Sequence, residues 1–168
     1  MKKQNMKTWI CKATLAATLT CLALGGATVA QAAGCSNATL SGKNGQTISG
    51  ELLPAAGTVL PQNGVAMTTF DGKGKFTQVD FVVINGTPTS TNFASETGTY
   101  MVNSNCTGQA RINYPNGSWI DLELVVVNQG REFRTVVSQL TMGGNPVPVN
   151  IGSNGIRVDS DGGTEHRK

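Results

Sequence analysis

The chain has 168 residues with 13 basic and 10 acidic side chains, a formal balance of +3. Four of the lysines (Lys2, Lys3, Lys7 and Lys12) fall in the first 32 residues, which hold no acid, so the other 136 residues carry nine basic and ten acidic groups. A segment of that size can bury a core as one domain, and its near-neutral balance leaves no basic field to collect nucleic acid or anionic lipid.

Residues 1–32 read as a secretory signal peptide. Lysines flank an apolar or small-residue stretch from Ala13 to Ala30, and Ala30-Gln31-Ala32 is an A-x-A pattern that places cleavage after Ala32. A permanent membrane anchor fits less well, because Thr14, Thr18, Thr20 and Gly25-Gly26 dilute the hydrophobicity. Export is therefore expected, to the periplasm or fully out of the cell, with no membrane span after cleavage. Cys11 and Cys21 leave with the leader, and Cys35 and Cys106 stay. Two thiols in an oxidising compartment most economically form one disulfide. It would staple the new N-terminus to the sheet. A second reading of Ala32-Ala33-Gly34-Cys35 is a lipobox, in which Cys35 is acylated and Cys106 left free; the usual Leu three positions before the cysteine is missing.

From Asn37 onward short β-rich runs alternate with turn clusters, and no segment shows helical periodicity. A first strand is expected over Thr39–Leu52, broken at Gly42–Gly45. Asn63-Gly64 then reads as a turn before Val65–Phe70, and Asp71-Gly72-Lys73-Gly74 as a turn before Lys75–Ile84. Asn85-Gly86 opens a loop to about Phe93, followed by Glu96–Val102, a turn containing Cys106, Gln109–Tyr114, and Pro115-Asn116-Gly117. Ser118–Val127, Asn128-Gln129-Gly130, Glu132–Leu140, a Gly-rich turn over Met142–Asn145 and a last strand over Val147–Val158 complete the order. Asn-Gly and Asp-Gly recur because tight hairpin turns need positive φ. The polar tail, residues 159–168, is expected to be disordered.

Eight or so strands with short connections should be antiparallel neighbours. A meander of eight closes most naturally into an up-and-down barrel, which removes exposed edges. An all-β, eight-stranded antiparallel barrel over residues 33–158 is thus the expected fold, with a Greek-key β-sandwich as the alternative. In Ser118–Val127 one face holds Ile120, Leu122, Leu124 and Val126, the other Trp119, Asp121 and Glu123. In Phe76–Ile84 one face is Thr77, Val79, Phe81 and Val83, the other Phe76, Gln78, Asp80, Val82 and Ile84. The plain expectation puts the more apolar set of each strand in the core and the mixed set in water; a wet cavity would reverse it.

The chemistry available is narrow. His166, in the tail, is the only histidine, so a Ser-His-Asp triad, a Cys-His pair or a histidine metal cluster is not expected. Neither a P-loop nor a dinucleotide fingerprint is present, and no cofactor or metal is expected. Asp71-Gly72-Lys73-Gly74 lacks the further acids of a calcium loop and reads as a hairpin turn. Candidate acid–base groups are Glu96 and Tyr100, four residues apart on one strand face, and Asp121 and Glu123 with Trp119 beside them as a ligand platform. Arg134, on the next strand, could reach a carboxylate across the ladder. An inward face would make these a cavity site with a raised carboxyl pKa; a solvated face with ordinary ion pairs is the favoured reading.

Several strings extend this picture. Cys35-Ser36-Asn37-Ala38-Thr39-Leu40-Ser41-Gly42, Ile48-Ser49-Gly50, Phe70-Asp71-Gly72-Lys73-Gly74-Lys75-Phe76-Thr77, Glu96-Thr97-Gly98-Thr99-Tyr100-Met101-Val102-Asn103, Cys106-Thr107-Gly108 and Gly130-Arg131-Glu132-Phe133-Arg134 occur in this order. Together they resemble a group of exported bacterial proteins of the allene oxide cyclase barrel-like class, over nearly the whole chain after the leader. The resemblance implies an eight-stranded antiparallel barrel and a Cys35–Cys106 pair. It supplies no activity. The wider class includes plant cyclases of unsaturated fatty-acid epoxides and dirigent-type proteins, but none of their functional residues maps onto this chain.

The expected function is accordingly that of an exported, non-catalytic barrel that binds a small apolar or amphipathic molecule or serves as an envelope accessory. A cofactor-independent cyclase or isomerase using interior carboxylates is the first alternative, and a structural or adhesion role the second. Oligomeric state is left open by the sequence.

Overall fold

Residues 34–158 are described by a computed structural model; the expected leader with its expected cleavage site, and the tail with His166, lie outside the described residues. Ten strands follow in chain order: β1 (Ser41–Ala55), β2 (Thr58–Asp71), β3 (Lys75–Ile84), β4 (Thr87–Pro88), β5 (Ala94–Val102), β6 (Thr107–Asn113), β7 (Trp119–Val127), β8 (Glu132–Met142), β9 (Asn145–Val147) and β10 (Val149–Arg157). Short turns make each barrel strand the antiparallel neighbour of the next, and β10 closes the ring by pairing with both β8 and β1. The result is an eight-stranded up-and-down barrel, with β4 and β9 as short additions on β3 and β8. The order has no Greek-key crossover.

Turn chemistry places most reversals where the residues demand them. Asn85 and Gly86 both have positive φ, as a two-residue hairpin turn requires. At the Asp71–Gly74 reversal the Asp71 carboxylate accepts hydrogen bonds from the Lys73 and Lys75 amides, at 2.7 and 2.9 Å.

Three expectations need correction. Asn63-Gly64 is no turn but lies within β2, because both flanks pair continuously with β1 and β3. Gly64 serves close approach there, since a Cβ would meet the Phe81 carbonyl at 2.9 Å. The first strand runs through Gly42–Gly45 without a break, paired with β2 from Ser41 and with β10 over Asn44–Leu52, and Thr39 belongs instead to a short 3-10 turn, Asn37–Thr39. The last run splits into β9 and β10 at Pro148, which has no amide hydrogen for a ladder bond.

One end of the barrel is plugged. Leu40, fully buried, enters it from the N-terminal segment and joins Phe70, Phe76, Tyr100 and Phe133 in a single apolar cluster. Phe70 is the hub, with ring centroids 4.9–5.5 Å from the other three. Gly98 lies opposite Phe76, where any Cβ would overlap that ring. The Tyr100 hydroxyl donates to the Leu40 carbonyl (2.8 Å) and lies 3.0 Å from that of Asn37, and the Val102 amide donates to Asn37 Oδ1 (2.7 Å). Cys35 is bonded to Cys106 in the β5–β6 turn, with Cα atoms 4.9 Å apart. Paired in this way, Cys35 has no free thiol for the acylation of the lipobox reading.

Candidate functional site

The alternation of β7 is as expected, with Leu124 and Val126 buried and Glu123 and Val125 exposed. The alternation of β3 is the reverse of the plain expectation: Phe76, Gln78 and Asp80 are buried, while Thr77 and Val79 are exposed. Phe76 explains the parity. Its ring must pack over Gly98 and against Phe70, and a period of two then carries Gln78, Asp80, Val82 and Ile84 inward as well.

Above the aromatic plug the interior is not filled. A cavity of about 440 Å³ extends toward the end opposite the disulfide. Thr89, Ser90, Asn116 and Gly143, on the connections at that end, belong to its lining. Its walls are largely aliphatic, from Ile48, Val82, Ile84, Leu122, Val137 and Ile151. Across its inner part runs a belt of hydrogen-bonded polar side chains. The Thr135 and Ser153 hydroxyls share a bond (2.8 Å), and Ser153 donates to Gln46 Oε1 (3.1 Å). Gln46 Nε2 donates to the Thr68 hydroxyl, Thr68 donates to Gln78 Oε1 (2.8 Å), and Gln78 Nε2 donates to Asp80 Oδ2 (3.3 Å). Five strands thus feed one relay that ends on a carboxyl group.

Glu96 stands beside that end. It pairs with Gln78 across the β3–β5 ladder, so its side chain faces the same interior as Asp80. It is only 3% exposed, and neither carboxyl oxygen has a hydrogen-bond partner. Burial, and secondarily the Asp80 charge, push its pKa up from 4.5 to about 7. Asp80 is raised in turn by burial, against the lowering effect of its bond from Gln78. Tyr114, just past β6, is raised strongly by burial and by both carboxyl groups. Among the described residues, no Lys, Arg or His lines the cavity.

The structure distributes the sequence-derived candidates between two environments. Glu96 faces the cavity. Tyr100 shares its inward face but lies below Gly98, in the plug, with its hydroxyl engaged by backbone carbonyls. Asp121 and Glu123 are on the outer face. Asp121 takes a bidentate pair from Arg111 (2.6 and 2.7 Å), and Trp119 sits under the same guanidinium at 5.5 Å. Glu123 accepts from Gln109 (3.0 Å). Arg134 stands opposite Val125, not a carboxylate, and bonds Asn154 (2.9 Å) and its own strand's Glu132 (3.5 Å). Sequence reasoning missed Asp80, Gln78, Gln46 and Tyr114 as cavity groups. The available signal was Phe76: a buried aromatic on their face of β3 commits Gln78 and Asp80 to the interior.

The inversion of β3 has an outer consequence. Val79 joins Val65, Met67, Phe93 and Ile156 around a shallow apolar depression on the barrel surface. The sequence, rich in Thr and Asn, does not lead one to expect such a patch. Among the described residues, no helix is long and apolar enough to cross a membrane, and no cluster of three or more His, Cys, Asp or Glu could hold a metal ion.

The chain matches no protein-family model, and no curated protein is significantly similar to it in sequence. Among solved structures it is similar in fold to the S-type phycobiliprotein lyase of Guillardia theta, with a TM-score of 0.48 and 10% identity, over 74% of this chain and 91% of that one.

Proposed function

We propose that the protein is an exported, non-catalytic barrel of the allene oxide cyclase barrel-like class that takes a small apolar or amphipathic molecule into its interior. The observation that carries this reading is the cavity of about 440 Å³ with aliphatic walls and a few convergent polar groups, the usual make-up of a small-molecule site. Nile red, a neutral apolar dye, should gain fluorescence on mixing with the protein. Val82→Trp, which places an indole in the cavity, should weaken that uptake by about tenfold or more with an unchanged far-ultraviolet spectrum. Dye uptake indifferent to Val82→Trp sinks the interior-binding reading.

One observation favours a second reading, that of a cofactor-independent cyclase or isomerase. A carboxyl group with a pKa of about 7, as at Glu96, is populated in both forms near neutral pH and can give or take a proton. The fitting substrate is neutral, since no cation among the described residues lines the cavity to receive a free carboxylate. The methyl ester of an unsaturated fatty-acid allene oxide, which cyclises unaided, should then give an optically enriched cyclic product, and Glu96→Gln should return it to the racemic mixture of the buffer blank. A racemic product from the unaltered protein rejects this reading.

A further inference from the structure

The cavity contains two carboxyl groups and, among the described residues, nothing on its lining to neutralise them. Glu96 faces Gln78 and Asp80 from β3 and Tyr114 from beyond β6, and none of these is a cation. Both Glu96 oxygens are buried without a partner. An unsatisfied carboxyl group in that position is costly to the fold, and the polar belt does nothing to relieve it. Its hydrogen-bonding capacity is left for whatever enters. The group that satisfies two adjacent carboxylates best is a donor-only cation with several N–H bonds, because such charge-assisted bonds are the strong ones. A bound metal ion is a poorer match. Two carboxylates are its only charged ligands here, no third acidic, His or Cys ligand is clustered with them among the described residues, and the neutral Gln, Thr and Ser groups of the belt are already engaged with one another. An apolar body needs the aliphatic walls, and a positive nitrogen needs the carboxyl pair.

Resting on the reading of the cavity as a ligand site, we propose that it selects organic amines: a protonated nitrogen seated at Glu96 and Asp80, with its hydrocarbon part against Val82, Leu122, Val137 and Ile151. Anionic amphiphiles such as fatty acids are rejected by the same pair, since a third carboxylate would enter a site with no cation. Neutral alcohols of equal length fill the walls but leave Glu96 without its charge partner. An ammonium also favours the ionised form of Glu96, so the proton held there near neutral pH leaves as the amine binds. Affinity should therefore climb as Glu96 ionises and fall again only when the amine itself loses its proton, near about 10.

Calorimetric titration of the purified protein with octylamine, octanol and octanoate tests this. Octylamine should bind about ten- to a hundredfold more tightly than octanol, octanoate should not bind, and octylamine heats measured in buffers of different ionisation enthalpy should report proton release. Glu96→Gln should lower octylamine affinity by about tenfold or more without weakening octanol, and Asp80→Asn should act in the same direction. Octanol or octanoate binding as tightly as octylamine overturns the amine selectivity and leaves the ligand-binding reading in place. Octylamine failing to bind a protein that still takes up Nile red does the same. Loss of both overturns the cavity reading itself.

Discussion

Raising the pH from about 4 to about 8 is expected to weaken the folded protein by about 2–3 kcal/mol, and Glu96→Gln to remove most of that loss. In the unfolded chain Glu96 ionises near its ordinary 4.5, whereas in the barrel it holds its proton up to about 7. Below 4.5 both states carry the proton and there is no penalty. Between 4.5 and 7 the unfolded chain releases it first, so stability falls with rising pH. Above 7 the penalty is constant. The full difference between the two values corresponds to about 3 kcal/mol, reduced where the surroundings relax around the charge. Asp80 is shifted in the same direction by burial and adds to the trend. Gln keeps the shape of Glu96 and never ionises, so at about pH 8 the variant should be the more stable protein, and at about pH 4 nearly equal. Asp71 acts oppositely but elsewhere on the scale. The Lys75 and Lys73 amides hold it below its ordinary value, so its contribution disappears only under more acidic conditions. Urea midpoints of both proteins across this range decide the matter. A flat profile in the unaltered protein, or a Glu96→Gln variant that is weaker at pH 8, would show that Glu96 is ionised and satisfied.

Removing the disulfide should cost the fold several kcal/mol, about 2–5. Cys35 and Cys106 are 71 residues apart in sequence, and on the chain-entropy account a closed loop of that length is worth about 4 kcal/mol. The folded-state contribution has the same sign. The bond holds the start of the barrel domain against the β5–β6 turn, where the Cys35 amide also donates to the Ser104 carbonyl at 3.1 Å. The segment it anchors carries Asn37 and Leu40, which close the plug through Tyr100 and the Val102 amide. The double variant Cys35→Ala/Cys106→Ala avoids a stray thiol. Its urea unfolding free energy should fall by about 2–5 kcal/mol, and reduction of the unaltered protein should reproduce the loss. Nile red uptake at low denaturant should persist, because the cavity opens at the other end. A loss below about 1 kcal/mol would place the stability of this end in the aromatic cluster instead.

Much of the architecture was legible in the residues. Asp71–Gly74, Asn85-Gly86, Pro115–Gly117 and Asn128–Gly130 are turns because their residues tolerate the conformations that turns need, and short turns permit only antiparallel neighbours. The strand count, the meander and the pairing of Cys35 with Cys106 follow from local composition and arithmetic. The inward face of β7 agrees with the plain expectation, since only one of its faces is free of charge, though a wet cavity would have reversed it. Asn63-Gly64 shows the limit: a turn signal is ignored when the strands on either side offer unbroken pairing to both of its flanks.

What the tertiary structure alone decided is the contents of the interior. In β3 both faces contain large apolar residues, so composition gives no parity, and the choice depends on Phe76 finding Gly98 and Phe70 across the barrel. That one contact turns Asp80 inward beside Glu96 and leaves Val79 outside. Arg111, rather than Arg134, meets Asp121 because register is a property of the closed ring and not of either strand. The cavity likewise exists only as the space left when eight strands close around side chains too few to fill it, a quantity no local pattern of residues contains.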